Sequence, residues 1–127
     1  MILADTDVLI DYLNDISPMS DLVRKQIASD NLQTTAISCF ELLSGAGMGR
    51  RGSAARALVE SLTSLSLNRE AASRAADLSV ELASRGITVP MADSLIAGIA
   101  LSNDLPLLTR NQKHFGLVEG LRLVRLR

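Results

Sequence analysis

Short apolar runs alternate with helical patterns along the whole chain, and this constrains the fold more than any other feature. Ile2-Leu3-Ala4, Leu32 to Ile37 and Leu107-Leu108-Thr109 read as buried strands, Ser66-Leu67 as a very short one and Leu121 to Leu126 as a last one. Between them the spacing predicts a helix through Val8-Leu9-Ile10 to Leu13, and one opening at Ser17-Pro18 with Leu22, Val23 and Ile27 on its apolar face. Further helices are predicted from Cys39 to about Ala46, opened by Ser38, over Ser53 to Leu62, over Arg69 to Ser84 and from about Ala92 to Ser102. Asn68 and Gly86 are the start and stop signals of the longest. With no linker or repeat between them, these elements predict an α/β fold of three layers. Helices cover both faces of a mostly parallel central sheet of about five short strands, and residues 1–127 are expected to form a single domain.

Composition narrows the chemistry. Only 2% of residues are aromatic and none is Trp, which argues against a base-stacking platform for nucleic acid. The net charge of -1 leaves any nucleic-acid partner to a local patch or a bound cation. A lone cysteine, Cys39, excludes an internal disulfide and a cysteine cage for zinc, and fits a reducing compartment. An acid at position 5 and no basic region before it do not read as a signal peptide, and the apolar run Leu95 to Leu101 is too short to span a bilayer. A cytoplasmic protein without a membrane anchor is expected.

In a parallel sheet, ligands bind beyond the carboxyl ends of the strands, so the residues just after each strand come first. Asp5 and Asp7 follow the first strand, Glu41 lies in the first helical turn after the second, and Asn111 stands two residues past Leu107 to Thr109. Asp93 opens the helix that precedes that last strand. Carboxylates gathered at one rim raise one another's pKa unless a cation resolves the repulsion, and a hard divalent ion is suited to oxygen donors. Each position also has a plainer reading. Ser38-Cys39-Phe40-Glu41 matches a capping box, Asp93 complements the positive end of its helix, and Asp7 is the preferred N-cap of the helix through Tyr12. Asp5 is harder to explain away, because a carboxylate ending an apolar strand is costly without a partner.

Other features carry less. Gly47-Met48-Gly49-Arg50-Arg51-Gly52 fits the dinucleotide-binding pattern GxGxxG, yet it follows a helix and reads as a flexible loop. Cys39 and His114 suggest a thiol nucleophile and base, but a buried cysteine and a surface histidine are the expected state. The basic clusters Arg50, Arg51, Arg56 and Arg122, Arg125, Arg127 read as solvated faces. The first of them, or Arg110, offers a phosphate contact as the alternative.

Taken together, Leu3-Ala4-Asp5-Thr6-Asp7-Val8-Leu9-Ile10, the stretch Thr35 to Gly45 around Glu41, Ala92-Asp93-Ser94-Leu95-Ile96-Ala97 and the stretch Leu107 to Phe115 resemble PIN-domain ribonucleases. The resemblance is specifically to the VapC-type toxins of toxin–antitoxin pairs, and it runs in order through essentially the whole chain. It implies that Asp5, Glu41 and Asp93 hold Mg²⁺ or Mn²⁺, with Asn111 a water- or metal-orienting amide where many relatives carry a fourth acid. It implies RNA phosphodiester hydrolysis, with Asp93 or Asp5 orienting or deprotonating the attacking water. A homodimer and a cognate antitoxin lying across the acidic groove complete what it implies. Two rivals stand beside it: a phosphatase-like enzyme with Asp5 as nucleophile, which needs Lys25 or Lys113 at the phosphate, and a degenerate PIN domain that only binds a partner.

Overall fold

Four strands, β1 (Ile2–Ala4), β2 (Leu32–Thr35), β3 (Thr63–Leu65) and β4 (Leu107–Leu108), form one parallel sheet in the order β3-β2-β1-β4 in the computed structural model, which describes residues 1–126. The helices are α1 (Thr6–Leu13), α2 (Met19–Ala28), α3 (Ala36–Ala46), α4 (Gly49–Ser61), α5 (Arg69–Ser84), α6 (Met91–Ser102) and α7 (Gln112–Phe115). The register is set by Leu3 opposite Gln33 on one side and opposite Leu107 on the other.

Successive strand residues point to opposite faces, and this divides the core in two. Leu3 and Leu107 join Leu78, Leu82, Ile96, Ile99 and Phe115 beneath α5, α6 and α7. Ala4 and Leu108 join Val8, Leu9, Val23, Leu42 and Leu58 beneath α1 to α4. The three-layer α/β arrangement follows directly from that alternation.

On the first of these faces α5 and α6 cross at Gly98, where a Cβ would overlap the Ala71 carbonyl oxygen and stand 2.8 Å from both N and Cβ of Ala75. The expected cap of α5 is present: Asn68 accepts a hydrogen bond from the Ala71 N–H at 2.9 Å, and Gly86, at φ +78°, follows the helix end.

Several expected boundaries shift. The sheet has four strands, not five: Leu121 to Leu126 meets it only through a single parallel bridge from Leu123 to Leu107. Its alternating leucines and arginines suit a strand, but β4 offers only two residues to pair with. The short third strand is Thr63–Leu65 and not Ser66-Leu67, because it pairs with Gln33 to Thr35 while Ser66 to Asn68 lead into α5. The glycine-spaced stretch is no free loop, since α4 already begins at Gly49. There Gly47 takes φ +67°, and a Cβ on Gly52 would overlap the Gly47 carbonyl oxygen, so these glycines close the corner between α3 and α4. Arg127, the last of the C-terminal basic cluster, lies outside the described residues.

Candidate active site

Because every strand runs the same way, the segments after β1, β2 and β4 emerge along one edge of the sheet, and the hydrogen bonds found there tie them together. Asp5 follows β1 and caps α1. Its Oδ1 accepts from the Thr6 N–H at 2.8 Å, and its Oδ2 from the Thr109 hydroxyl at 2.7 Å, across the β1–β4 pair. This corrects the assignment of the cap to Asp7, which lies in the first turn of α1. The Asp7 carboxylate instead turns to β4 and accepts the Arg110 backbone N–H at 3.1 Å.

Glu41 is likewise freed from the capping role. Helix α3 begins at Ala36, three residues before the expected Cys39, with Thr35 instead of Ser38 as its cap, accepting from the Ser38 N–H at 3.0 Å. The hydroxyls of Thr35 and Ser38 are buried and lead to Thr6, whose hydroxyl donates to Glu41 Oε1 at 2.6 Å. That chain of hydroxyls fixes the Glu41 carboxylate against the start of α1.

Electrostatics ties Asp93 to the same rim. Burial raises its carboxyl above the ordinary carboxylate range and the nearby Glu41 charge adds to this, while His114 draws it back down. Asp5 is only 5% exposed. Burial first, and then the charge of Asp7, push its carboxyl up from 3.8 to about 7, with Asp93 adding to the rise against the hydrogen bonds from Thr109 and Thr6. Burial raises Asp7 too, against the opposing pull of the Arg110 backbone and guanidinium.

The rim's own cation is Arg110, whose Nε lies 3.1 Å from Oδ2 of buried Asp11 and 3.9 Å from Oδ2 of Asp7. It serves the outer acids and leaves the charges on Asp5, Asp93 and Glu41 to one another. Those three present only hard oxygen donors, with no guanidinium or ammonium paired to them, a set whose chemistry fits Mg²⁺ or Mn²⁺. Among the described residues no three His, Cys, Asp or Glu side chains stand close enough together to hold a metal ion as they are placed.

Asn111 is placed differently from the acids. It caps α7, its Oδ1 accepting the His114 N–H at 3.4 Å and its Nδ2 meeting His114 Nδ1 at 3.2 Å. Its backbone N–H donates to the Thr109 hydroxyl oxygen at 3.0 Å. Cys39 is far from this group, its thiol 3.4 Å from the Ser64 hydroxyl on the opposite edge strand, so no thiol–imidazole pair exists. Lys25 is in the last turn of α2, which ends where β2 begins, at the edge away from the rim, and Lys113 is exposed on α7.

Thr6, Thr109, Asp11 and His114 were not singled out as site residues by sequence reasoning. Thr6 lies between Asp5 and Asp7 in the chain, and Thr109 ends the apolar strand run from Leu107 two residues before Asn111, the one signal each carries. Asp11 is four residues after Asp7 and so shares its helix face.

A family model described as PIN domain matches residues 2–120. Among solved structures, a chain of the DNA-bound VapBC complex from Salmonella typhimurium is similar at a TM-score of 0.82 and 27% identity, over 98% of each chain. A chain of VapBC-1 from nontypeable Haemophilus influenzae reaches 0.76 at 28% identity, covering 98% of this chain and 97% of that one. VapBC-5 from Mycobacterium tuberculosis, a member of the VapBC family of toxin–antitoxin systems, reaches 0.70 at 26% over 98% of each chain. No curated protein matches the sequence at a significant level.

Proposed function

The chain belongs to the PIN-domain family, and from that premise we propose that it is a divalent-cation-dependent endoribonuclease, the toxin of a toxin–antitoxin pair. The observation that carries this reading is the gathering of Asp5, Asp93 and Glu41 at one sheet edge, where burial and neighbouring carboxylates raise Asp5 and Asp93 while the rim arginine is paired with Asp7 and Asp11. These three would hold Mg²⁺ or Mn²⁺. Such an ion, when bound, acidifies water and stabilises charge on a phosphodiester.

The roles of the side chains follow from their surroundings. Asp5 is buried and doubly hydrogen-bonded, which suits a fixed ligand, and Thr109 orients it from β4. Thr6 holds Glu41 toward the rim in the same way. Asp93 is less buried than Asp5 and is therefore the better group to orient or deprotonate an attacking water. Asn111 acts on the site through the histidine it holds.

The partner proposed is a cognate antitoxin, supported by the VapBC complexes among the similar structures. A homodimer is proposed with it, on the family resemblance alone. Among the described residues no helix is long and apolar enough to cross a membrane. The phosphatase rival is disfavoured because both Asp5 oxygens accept hydrogen bonds and neither lysine is bonded to the rim.

Purified protein is expected to cut single-stranded RNA internally in Mg²⁺ or Mn²⁺, and to stop in excess EDTA. Cleavage undiminished by EDTA would sink the cation mechanism, and a covalent phosphoryl group on Asp5 would favour the phosphatase.

A further inference from the structure

We infer that His114 contacts the substrate directly, its Nε2–H donating a hydrogen bond to a phosphate oxygen of RNA lying on the acidic rim. The inference rests on the ribonuclease reading above and adds a residue to it.

The orientation of Asn111 decides the state of the ring. Its Oδ1 is committed to the backbone N–H of His114, because that contact caps α7. Its Nδ2 therefore faces His114 Nδ1, at 3.2 Å, and an amide nitrogen can only donate. Nδ1 must then accept, so the neutral imidazole carries its proton on Nε2. Asn111 is in turn fixed by its backbone N–H on the Thr109 hydroxyl, the same hydroxyl that donates to Asp5. Asp5, Thr109, Asn111 and His114 thus form one hydrogen-bonded series ending in an exposed ring.

The far end of that ring is free. Among the described residues Nε2 makes no hydrogen bond, and the imidazole is exposed while within electrostatic reach of Asp93. An N–H held beside the acids, but bonded to none of them, is a donor available to whatever anion the rim attracts. The other exposed donors on this segment are Arg110, which is held by Asp7 and Asp11, and Lys113. A phosphodiester brought to the rim presents nonbridging oxygens with the charge to accept such a bond.

The chain has one histidine, so its nitrogen-15 shifts can be read without ambiguity. In EDTA at pH 8 they are expected to report the Nε2–H tautomer, and an Nδ1–H tautomer would overturn the inference. Binding of a labelled single-stranded RNA, followed by fluorescence anisotropy with Ca²⁺ as the cation, tests the contact itself. His114→Ala should weaken binding about tenfold, the loss of one charge-assisted hydrogen bond, and His114→Gln, which can place an amide N–H at the same point, should restore most of it. Unchanged binding in His114→Ala, or an equal loss in both variants, would remove the histidine from the substrate. Wild-type protein that binds RNA without cutting it would defeat the nuclease reading and leave the contact standing, whereas absence of RNA binding would defeat both.

Discussion

Replacing Asp5 by asparagine is expected to abolish RNA cleavage while making the cation-free protein more stable. The loss of activity should reach about three orders of magnitude, because a charged ligand of the cation becomes neutral. The gain in stability has the opposite origin. Asp5 is buried, and its carboxyl lies at about 7 against an ordinary 3.8, so the folded state disfavours its ionised form. Below about pH 4 the group is protonated in folded and unfolded chains alike and costs nothing. Between about pH 4 and pH 7 the unfolded chain is ionised while the folded protein still holds the proton, so without a cation stability falls across that window by an amount on the order of a few kcal/mol and levels off above it. Asparagine keeps an oxygen for the Thr6 N–H and has no charge to bury. Thermal melts in EDTA at pH 5 and pH 8 check this. The wild type should melt lower at pH 8, and the variant should show a smaller difference, the part that Asp7 and Asp93 still contribute.

A second large effect is expected far from the acids. Gly98→Ala forces a methyl group into the Ala71 carbonyl and the Ala75 backbone, so α5 and α6 must move apart. Overpacking against backbone that cannot rotate away should cost about 3 kcal/mol or more, a fall in melting temperature on the order of 10 °C. Gly45→Ala is the control. Gly45 lies within α3 and a Cβ there meets nothing within 4 Å, so the same substitution should be neutral or slightly stabilising. Equal melting temperatures for the two variants would show that the close crossing of α5 and α6 is not a constraint on the fold.

The alternation of strands and helices was legible because each element carries its own period, and the acids were legible because they stand where apolar strands stop. What was not legible depends on partners distant in sequence. Asp7 adjoins the apolar residues of α1 and looks like its cap, but Arg110 and Thr109, about a hundred positions away in the chain, draw it to β4 and leave the cap to Asp5. Ser38 looks like the cap of α3 in the sequence, but β2 pairs only as far as Thr35, which takes that role instead. Asp11 is buried beneath Arg110, a partner about a hundred positions away in the chain. In the sequence His114 stands out only beside Cys39. Its actual neighbours are Asn111, three residues away, and Asp93, delivered by a different helix. The sequence of Leu121 to Leu126 has the right period for a strand, but period alone could not reveal how little of β4 was there to receive it.

The central claim is that Asp5, Asp93 and Glu41 share one cation, and direct binding of Mn²⁺, measured by the loss of its free-ion electron paramagnetic resonance signal, tests it most directly. The wild type is expected to bind Mn²⁺, more weakly by about tenfold for each pH unit below 7, because binding must displace the proton held by Asp5. Asp5→Asn and Asp93→Asn should each remove most of that binding. Mn²⁺ bound equally well by the wild type and both variants, with no dependence on pH, would contradict the account.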